Sequence, residues 1–302
     1  MPENISSPLS GWMGGKSILS RRIAGMLPEH KCYCEPFAGA AWVMFRKQES
    51  RVEVLNDINR EIVTFYRVVR HHLEEFVRYF KWVLVSRDEF ERLKRVAPDT
   101  LTDIQRAARF YYLQQMCFGG RMDGNPSFGY AAVRGPKLNL LRIEEQLSAA
   151  HLRLARVYVE CLPYHEVIKR YDKATTVFYV DPPYWDCENY YGKGLFCRED
   201  FTVLAELLGK IEGKFILSLN DKPEVRELFS AFKLEEVKVN YTCSNGKTLK
   251  AGELIFRTLA GETTIGHNHL YHLTKNVPKQ KKCIGTFSFL LRPVLIFRAA
   301  SQ

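Results

Sequence analysis

The chain has 302 residues, of which 46% are hydrophobic and 26% charged, with a formal net charge of +10. This is ordinary usage for a chain long enough to bury a sizeable core, and it excludes disorder over the whole length. The excess of lysine and arginine favours a polyanionic partner such as nucleic acid, although a merely basic enzyme shows the same balance.

No run of 18 apolar residues occurs, and the first residues, "MPENISSPLSGW", lack a basic-then-apolar pattern. Neither membrane spanning nor secretion is expected, and the expected location is cytoplasmic. The eight cysteines, at 32, 34, 117, 161, 187, 197, 243 and 283, contain no C-x-x-C pair. They read as cytosolic thiols, and no metal site is expected.

In chain order, the first feature is "GWMGGKS" at 11–17, which sets Trp12 and Lys16 around glycines ahead of the helical "SILSRRIAGML". A phosphate loop of the G-x-x-x-x-G-K-[ST] type needs a glycine where Ser10 stands, so an ATPase is not expected. An aromatic beside a glycine-rich turn suits stacking on an adenine, and Lys16 suits a carboxylate or phosphate oxygen. The plain alternative is a buried Trp and a solvated Lys.

A strand over Cys32–Cys34 follows and ends at Glu35, with a turn "EPFAGA" behind it; a second strand, "RVEVLND", ends at Asn56 and Asp57. Strand, turn, helix and strand in this order open a Rossmann-like α/β sheet. Glu35 and Asp57 stand 22 residues apart, close to the roughly 20 that separate a glycine turn from the acid on a ribose hydroxyl. The turn has one glycine, Gly39, where pyrophosphate binders use three. A nucleoside without phosphate, such as S-adenosylmethionine, therefore fits better than a dinucleotide. Taken alone, the turn is equally an ordinary strand-to-helix connection.

From Arg60 to Leu154 the apolar spacing is helical, which predicts an inserted, mainly helical segment between the two parts of the sheet. Its aromatic stripe at 65, 66, 76, 79 and 80 reads as core packing, and the adjacent His71 and His72 face different sides of a helix, not one metal. Within the insert, 119–136 is dense in Gly, Pro and Asn and predicts a hairpin or long loop. Arg121 and Arg134 flank it as candidate contacts to guanine or phosphate, or as solvated loop residues.

Strands return at "RVYVEC", "TTVFYVD", "KFILSLN", "EEVKVNYTC" and "GELIFRT". Beyond Arg257 no clear period is visible, and 258–302 is expected to be a peripheral or poorly ordered tail whose "KQKK" run is solvated.

The stretch "TTVFYVDPPYWD" carries the chemistry. An exocyclic amine is a poor nucleophile because its lone pair is delocalised into the ring, so both of its hydrogens need acceptors. Asp181 offers a carboxylate and Pro182 a carbonyl. Pro182 and Pro183 fix φ near about −65° and bring no competing N–H. Tyr184 offers a face on which a base stacks, worth roughly 1–3 kcal/mol. The plain alternative is a strand-ending turn; whether Trp185 packs in the core or lines a base pocket is open at this level.

"DPPY" at 181–184, "EPFAGA" at 35–40, "NDIN" at 56–59 and "GWMGGKS" at 11–17, in this arrangement around a helical insertion, resemble the Dam-like (D12 class) DNA adenine-N6 methyltransferases. The resemblance covers approximately residues 8 to 257. It implies a Rossmann-like S-adenosylmethionine-dependent methyltransferase fold, with a discontinuous catalytic domain over 1–59 and 155–257. A helical DNA target-recognition domain would occupy 60–154.

By the same resemblance, Asp181, Pro182, Pro183 and Tyr184 hold a flipped adenine of double-stranded DNA. Trp12, Lys16, Glu35, Phe37, Gly39, Asp57, Tyr164 and Asp181 contact S-adenosylmethionine. Arg121 and Arg134 contact DNA, no metal takes part, and a cognate restriction endonuclease is an expected kind of partner. The sequence departs from the family at Gly11, where many members have a basic residue, and in its hairpin "FGGRMDGNPSFGY", so a G-A-T-C target does not carry over. Two rivals stay open: methylation of another amine, and a non-catalytic DNA-binding protein that keeps the fold.

Overall fold

The computed structural model describes residues 5–12, 14–120, 122, 124–130, 133, 135–139, 142–191, 194–242 and 248–258. The tail expected over 258–302 thus lies outside the described residues except for Thr258.

Seven strands form one sheet: β1 Cys32–Glu35, β2 Val52–Asn56, β3 Val157–Glu160, β4 Thr176–Val180, β5 Lys214–Asn220, β6 Lys233–Thr242 and β7 Thr248–Arg257. Their spatial order is β3-β2-β1-β4-β5-β7-β6. The first five run parallel, and β7 enters antiparallel between β5 and β6. The chain winds outward from β1 through β2 to β3, returns to β4 beside β1, and continues the other way. That reversal leaves a crevice beyond the carboxyl ends of β1 and β4, the usual ligand position in such sheets.

Helices cover both faces, which is why the central strands read as continuous apolar runs: all five residues of β4 are buried. The period-two alternation of the strands assigns side chains to two cores. Tyr33, Leu55, Val177, Tyr179 and Ile216 point into one. Cys34, Val54, Phe178, Val180 and Phe215 point into the other. A fully buried side chain such as Phe178 contributes about 1.5–3 kcal/mol.

The first core packs beneath α1 Ser20–Met26, α2 Trp42–Arg46, α3 Arg60–His71, α4 Leu73–Phe80, α5 Arg87–Arg95, α6 Asp103–Met116 and α7 Ile143–Leu154. The second packs beneath α8 Tyr164–Tyr171, α9 Arg198–Leu208 and α10 Pro223–Leu228. The inserted helices are well started in sequence. Asn59 caps α3, Ser86 caps α5, and Thr102 with Gln105 forms a capping box on α6. Phe65 of α3 stacks on Tyr111 of α6 at 5.5 Å, and Phe65, Tyr66, Phe76 and Phe80 of the aromatic stripe are core packing, whereas Tyr79 is exposed. At the predicted hairpin, Phe118 N donates to Ser127 O (2.8 Å) and Gly129 N to Met116 O (2.7 Å).

A buried ionic group ties the return of the insert to the sheet. Glu53 of β2 receives Lys47 and the Arg153 guanidinium of α7, and Arg153 Nη2 also donates to Met44 O at 3.0 Å. No helix among the described residues is long and apolar enough to cross a membrane.

Candidate active site

Three carboxylates stand at or just beyond the ends of three adjacent parallel strands: Glu35 on β1, Asp57 after β2 and Asp181 after β4. The turn after β1 is shaped by Gly39, whose φ of +47° suits a residue without Cβ. Gly39 N donates to Asp57 Oδ2 at 2.9 Å, and the other Asp57 oxygen accepts from Asn59 N at 2.9 Å. A Cβ at Gly39 would lie 3.3 Å from Trp12 Nε1, so the indole lies close over the turn. Asn56 stitches neighbouring strand ends together: its Nδ2 donates to Pro36 O (2.8 Å) and Leu162 O (2.9 Å), while its Oδ1 accepts from Leu162 N (2.9 Å).

Glu35 is buried and Asp57 half-buried, which raises both carboxyls. Burial pushes the Glu35 carboxyl up to about 8, against the pull of its hydrogen bonds from the Tyr33 hydroxyl (2.6 Å) and Met44 N (2.9 Å). Burial likewise pushes Asp57 up to about 6, against the two backbone donors.

On the other side of the cleft, Lys16 is only 4% exposed. Its Nζ lies 2.6 Å from Asp181 Oδ1, 3.4 Å from Glu253 Oε1 and 4.5 Å from the centre of the Tyr184 ring. Burial opposes the lysine's charge, but the two carboxylates outweigh it and hold the ammonium well above its ordinary pKa. Ser218 Oγ donates to the same Asp181 oxygen at 3.1 Å and shares a 3.0 Å hydrogen bond with the Tyr179 hydroxyl. Both donors therefore converge on Oδ1. Among the described residues none donates to Oδ2, and Asp181 lines the cleft.

The cleft is partly open to solvent. Trp12, Lys16, Glu35, Phe37, Gly39, Asp57, Asp181 and Pro183 line it, with Glu188, Leu195 and Phe196 closing one wall. Among its described lining residues are four carboxylates, Glu35, Asp57, Asp181 and Glu188, and one cation, Lys16. Such a wall is ill suited to a pyrophosphate, and a cationic ligand would favour the ionised form of its raised carboxyls.

The model of the D12 class N6 adenine-specific DNA methyltransferases matches residues 12–243. The chain belongs to this family. It is 29% identical over 259 residues to the DNA adenine methylase of Escherichia coli strain K12, covering 79% of this chain and 90% of that one. It is 23% identical over 239 residues to the type II methyltransferase M.CviBI of Paramecium bursaria Chlorella virus NC1A, covering 78% and 90%. It is also 27% identical over 248 residues to the DNA N-6-adenine-methyltransferase of Escherichia phage P1, covering 74% of this chain and 31% of that protein.

A D12 methyltransferase acts on an adenine amine in DNA, and the structure gathers most of the sequence's candidate residues around one cleft. Three of them, Tyr164, Pro182 and Tyr184, are not among its lining residues. Tyr164 stacks on Phe37 at 5.3 Å and donates to Asp200 Oδ1 at 3.0 Å, so it backs the wall instead of lining it. Pro182 is buried, and Tyr184 points its hydroxyl at Glu253 with Lys16 Nζ over its ring. Arg121 and Arg134 lie outside the described residues.

Trp185, open from sequence, packs on Phe201 of α9 at 5.0 Å with the Arg198 guanidinium 3.8 Å above it, away from the cleft. Sequence reasoning missed Ser218, Asn220 and Glu253. Their only signal is a polar residue inside an otherwise apolar strand, as in "FILSLN" and "GELIF".

Proposed function

We propose that the methyl donor is S-adenosylmethionine, bound along the Trp12–Glu35–Asp57 side of the cleft, and that an adenine flipped out of duplex DNA enters against Asp181. The residues fit this donor. Asp57 is a half-buried acceptor suited to ribose hydroxyls, Phe37 and Trp12 are flat faces suited to its adenine, and the acidic wall matches its cationic methionine end. When bound, S-adenosylmethionine supplies an electrophilic methyl group.

The rest is the work of the chain. Asp181 Oδ2 and the Pro182 carbonyl receive the two N6 hydrogens and turn the amine lone pair away from ring conjugation. Lys16 and Ser218 pin Oδ1, so the carboxylate needs little reorganisation when charge moves onto the amine. Tyr184 stacks on the extruded base, offsetting part of the few kcal/mol that unstacking costs. An ordinary carboxylate is far too weak to deprotonate an arylamine beforehand, so catalysis rests on positioning, and Asp181 is the acceptor at hand once methylation acidifies the amine.

Residues 60–154 read the site in this account. Arg121 and Arg134 are proposed DNA contacts. They are joined by Arg87, whose guanidinium lies over the rings of Phe128 (5.0 Å) and Tyr130 (5.5 Å) beside the hairpin. The reaction is assigned to the cytoplasm, with the DNA, and a restriction endonuclease cutting the same unmodified site is a proposed partner.

The observation that carries the reading is the one-sided pinning of Asp181 at the switch point of the sheet. Transfer of labelled methyl from S-adenosylmethionine to N6 of adenine in duplex DNA tests it. The wild type is expected to label DNA and Asp181→Ala to lose the activity; an Asp181→Ala protein as fast as the wild type would refute the assignment.

A further inference from the structure

Tyr184 and Trp185, the two residues that follow the prolines, are gripped from a single rung of the sheet. Asn220, the last residue of β5, is the register partner of Glu253 on β7. Asn220 holds the Trp185 backbone at both ends: its Oδ1 accepts from Trp185 N and its Nδ2 donates to Trp185 O, each at 3.0 Å. Glu253, 1% exposed, accepts the Tyr184 hydroxyl at 2.7 Å on each of its oxygens and lies 3.4 Å from Lys16 Nζ.

The rung is itself held in place. Asp221 N donates to Gly252 O at 3.1 Å, and a Cβ on Gly252 would come within 2.9 Å of Asp221 Cβ, so the backbones of β5 and β7 approach closely beside it.

A carboxylate buried in a strand such as "GELIF" costs several kcal/mol unless partners hold it. Here the partners that hold it include a tyrosine and a lysine of the active site. We propose that the Asn220–Glu253 rung is a positioning clamp for the 181–185 segment. Glu253 sets the Tyr184 ring through its hydroxyl, and Asn220 fixes the backbone directly after it, so the acceptor rim keeps its shape while a base enters. Neither residue touches the reacting atoms; both act through Tyr184 and Trp185. This assignment rests on the adenine-methylating reading of the cleft.

The test compares single-turnover methyl transfer to duplex DNA, S-adenosylmethionine affinity by titration, and thermal unfolding in the full chain. Asn220→Ala and Glu253→Ala are expected to slow transfer by at least about tenfold while cofactor affinity stays within about threefold. Glu253→Gln keeps an acceptor for the Tyr184 hydroxyl and is expected to recover to within about threefold of the wild type. Tyr184→Phe leaves Glu253 beside Lys16 and removes the hydroxyl that Glu253 holds. It keeps the test open if Glu253→Ala does not fold, and it is expected to slow transfer by about fivefold or more.

Wild-type rates in Asn220→Ala and Tyr184→Phe would overturn the clamp. So would losses confined to cofactor affinity with the transfer step unchanged. A wild-type protein that transfers no methyl group to adenine would instead overturn the functional reading beneath it.

Discussion

Asp181 shows how one half-buried side chain can be both held and ready for work. Lys16 and Ser218 hold one of its oxygens, and the other is left for an amine. Asp181→Asn keeps the size but replaces the carboxylate by an amide that presents N–H groups where the amine's hydrogens need acceptors. A rate loss of about 10²-fold or more is expected, with a much smaller change in Tm, measured by methyl transfer and thermal unfolding.

Glu35 makes a different kind of prediction. Its carboxyl, at about 8 in the folded chain, lies well above the ordinary carboxylate range because the group is buried. The group therefore favours folding below the unfolded value and loses that contribution as pH rises through about 8. Glu35→Gln, which still accepts from Tyr33 and Met44, should raise the Tm of the free protein at pH 8.5 and weaken S-adenosylmethionine binding. With Asp57 at about 6, affinity for the cationic cofactor should also fall as pH drops from 8 to 5.5, because protons compete for the same carboxylates. Titration across that range checks both statements.

At this scale Glu35, Asp57 and Asp181 were legible in the sequence because each ends a run of β-formers. Glu253 and Ser218 were not, since a single polar residue inside a strand shows no period and its partners lie far along the chain.

Among the elements, the turn after β1 is the one most constrained by its backbone. Gly39 adopts φ +47° with Trp12 close above it. Gly39→Ala adds a left-handed penalty of roughly 1–2 kcal/mol and crowds the indole. Weaker S-adenosylmethionine affinity and a lower Tm are the expected results, by titration and by melt. The parallel strands could be read from sequence because burial on both faces demands continuous apolar runs. The place of β7 between β5 and β6 could not, because strand insertion is a property of topology and leaves no local pattern. Tyr164, which sequence placed against the cofactor, stacks on Phe37 from the start of α8.

Across the whole molecule, the insert and the sheet share the first core and are joined by the Lys47–Glu53–Arg153 group. Arg153→Ala removes one partner from a buried carboxylate, frees Met44 O and should destabilise the chain by about 3 kcal/mol, measurable by denaturant unfolding. The excess positive charge makes DNA affinity a salt-dependent quantity: log affinity should fall linearly with log salt concentration as phosphate counterions are released.

The central claim is that this cleft methylates adenine N6 through Asp181. Its most direct test is motif-resolved mapping of N6-methyladenine in the DNA of a host expressing the wild-type chain or Asp181→Ala. Methylation at one recurring sequence with the wild type and none with the variant is the predicted result. Unmethylated DNA with the wild type, or equal methylation with both, would contradict it.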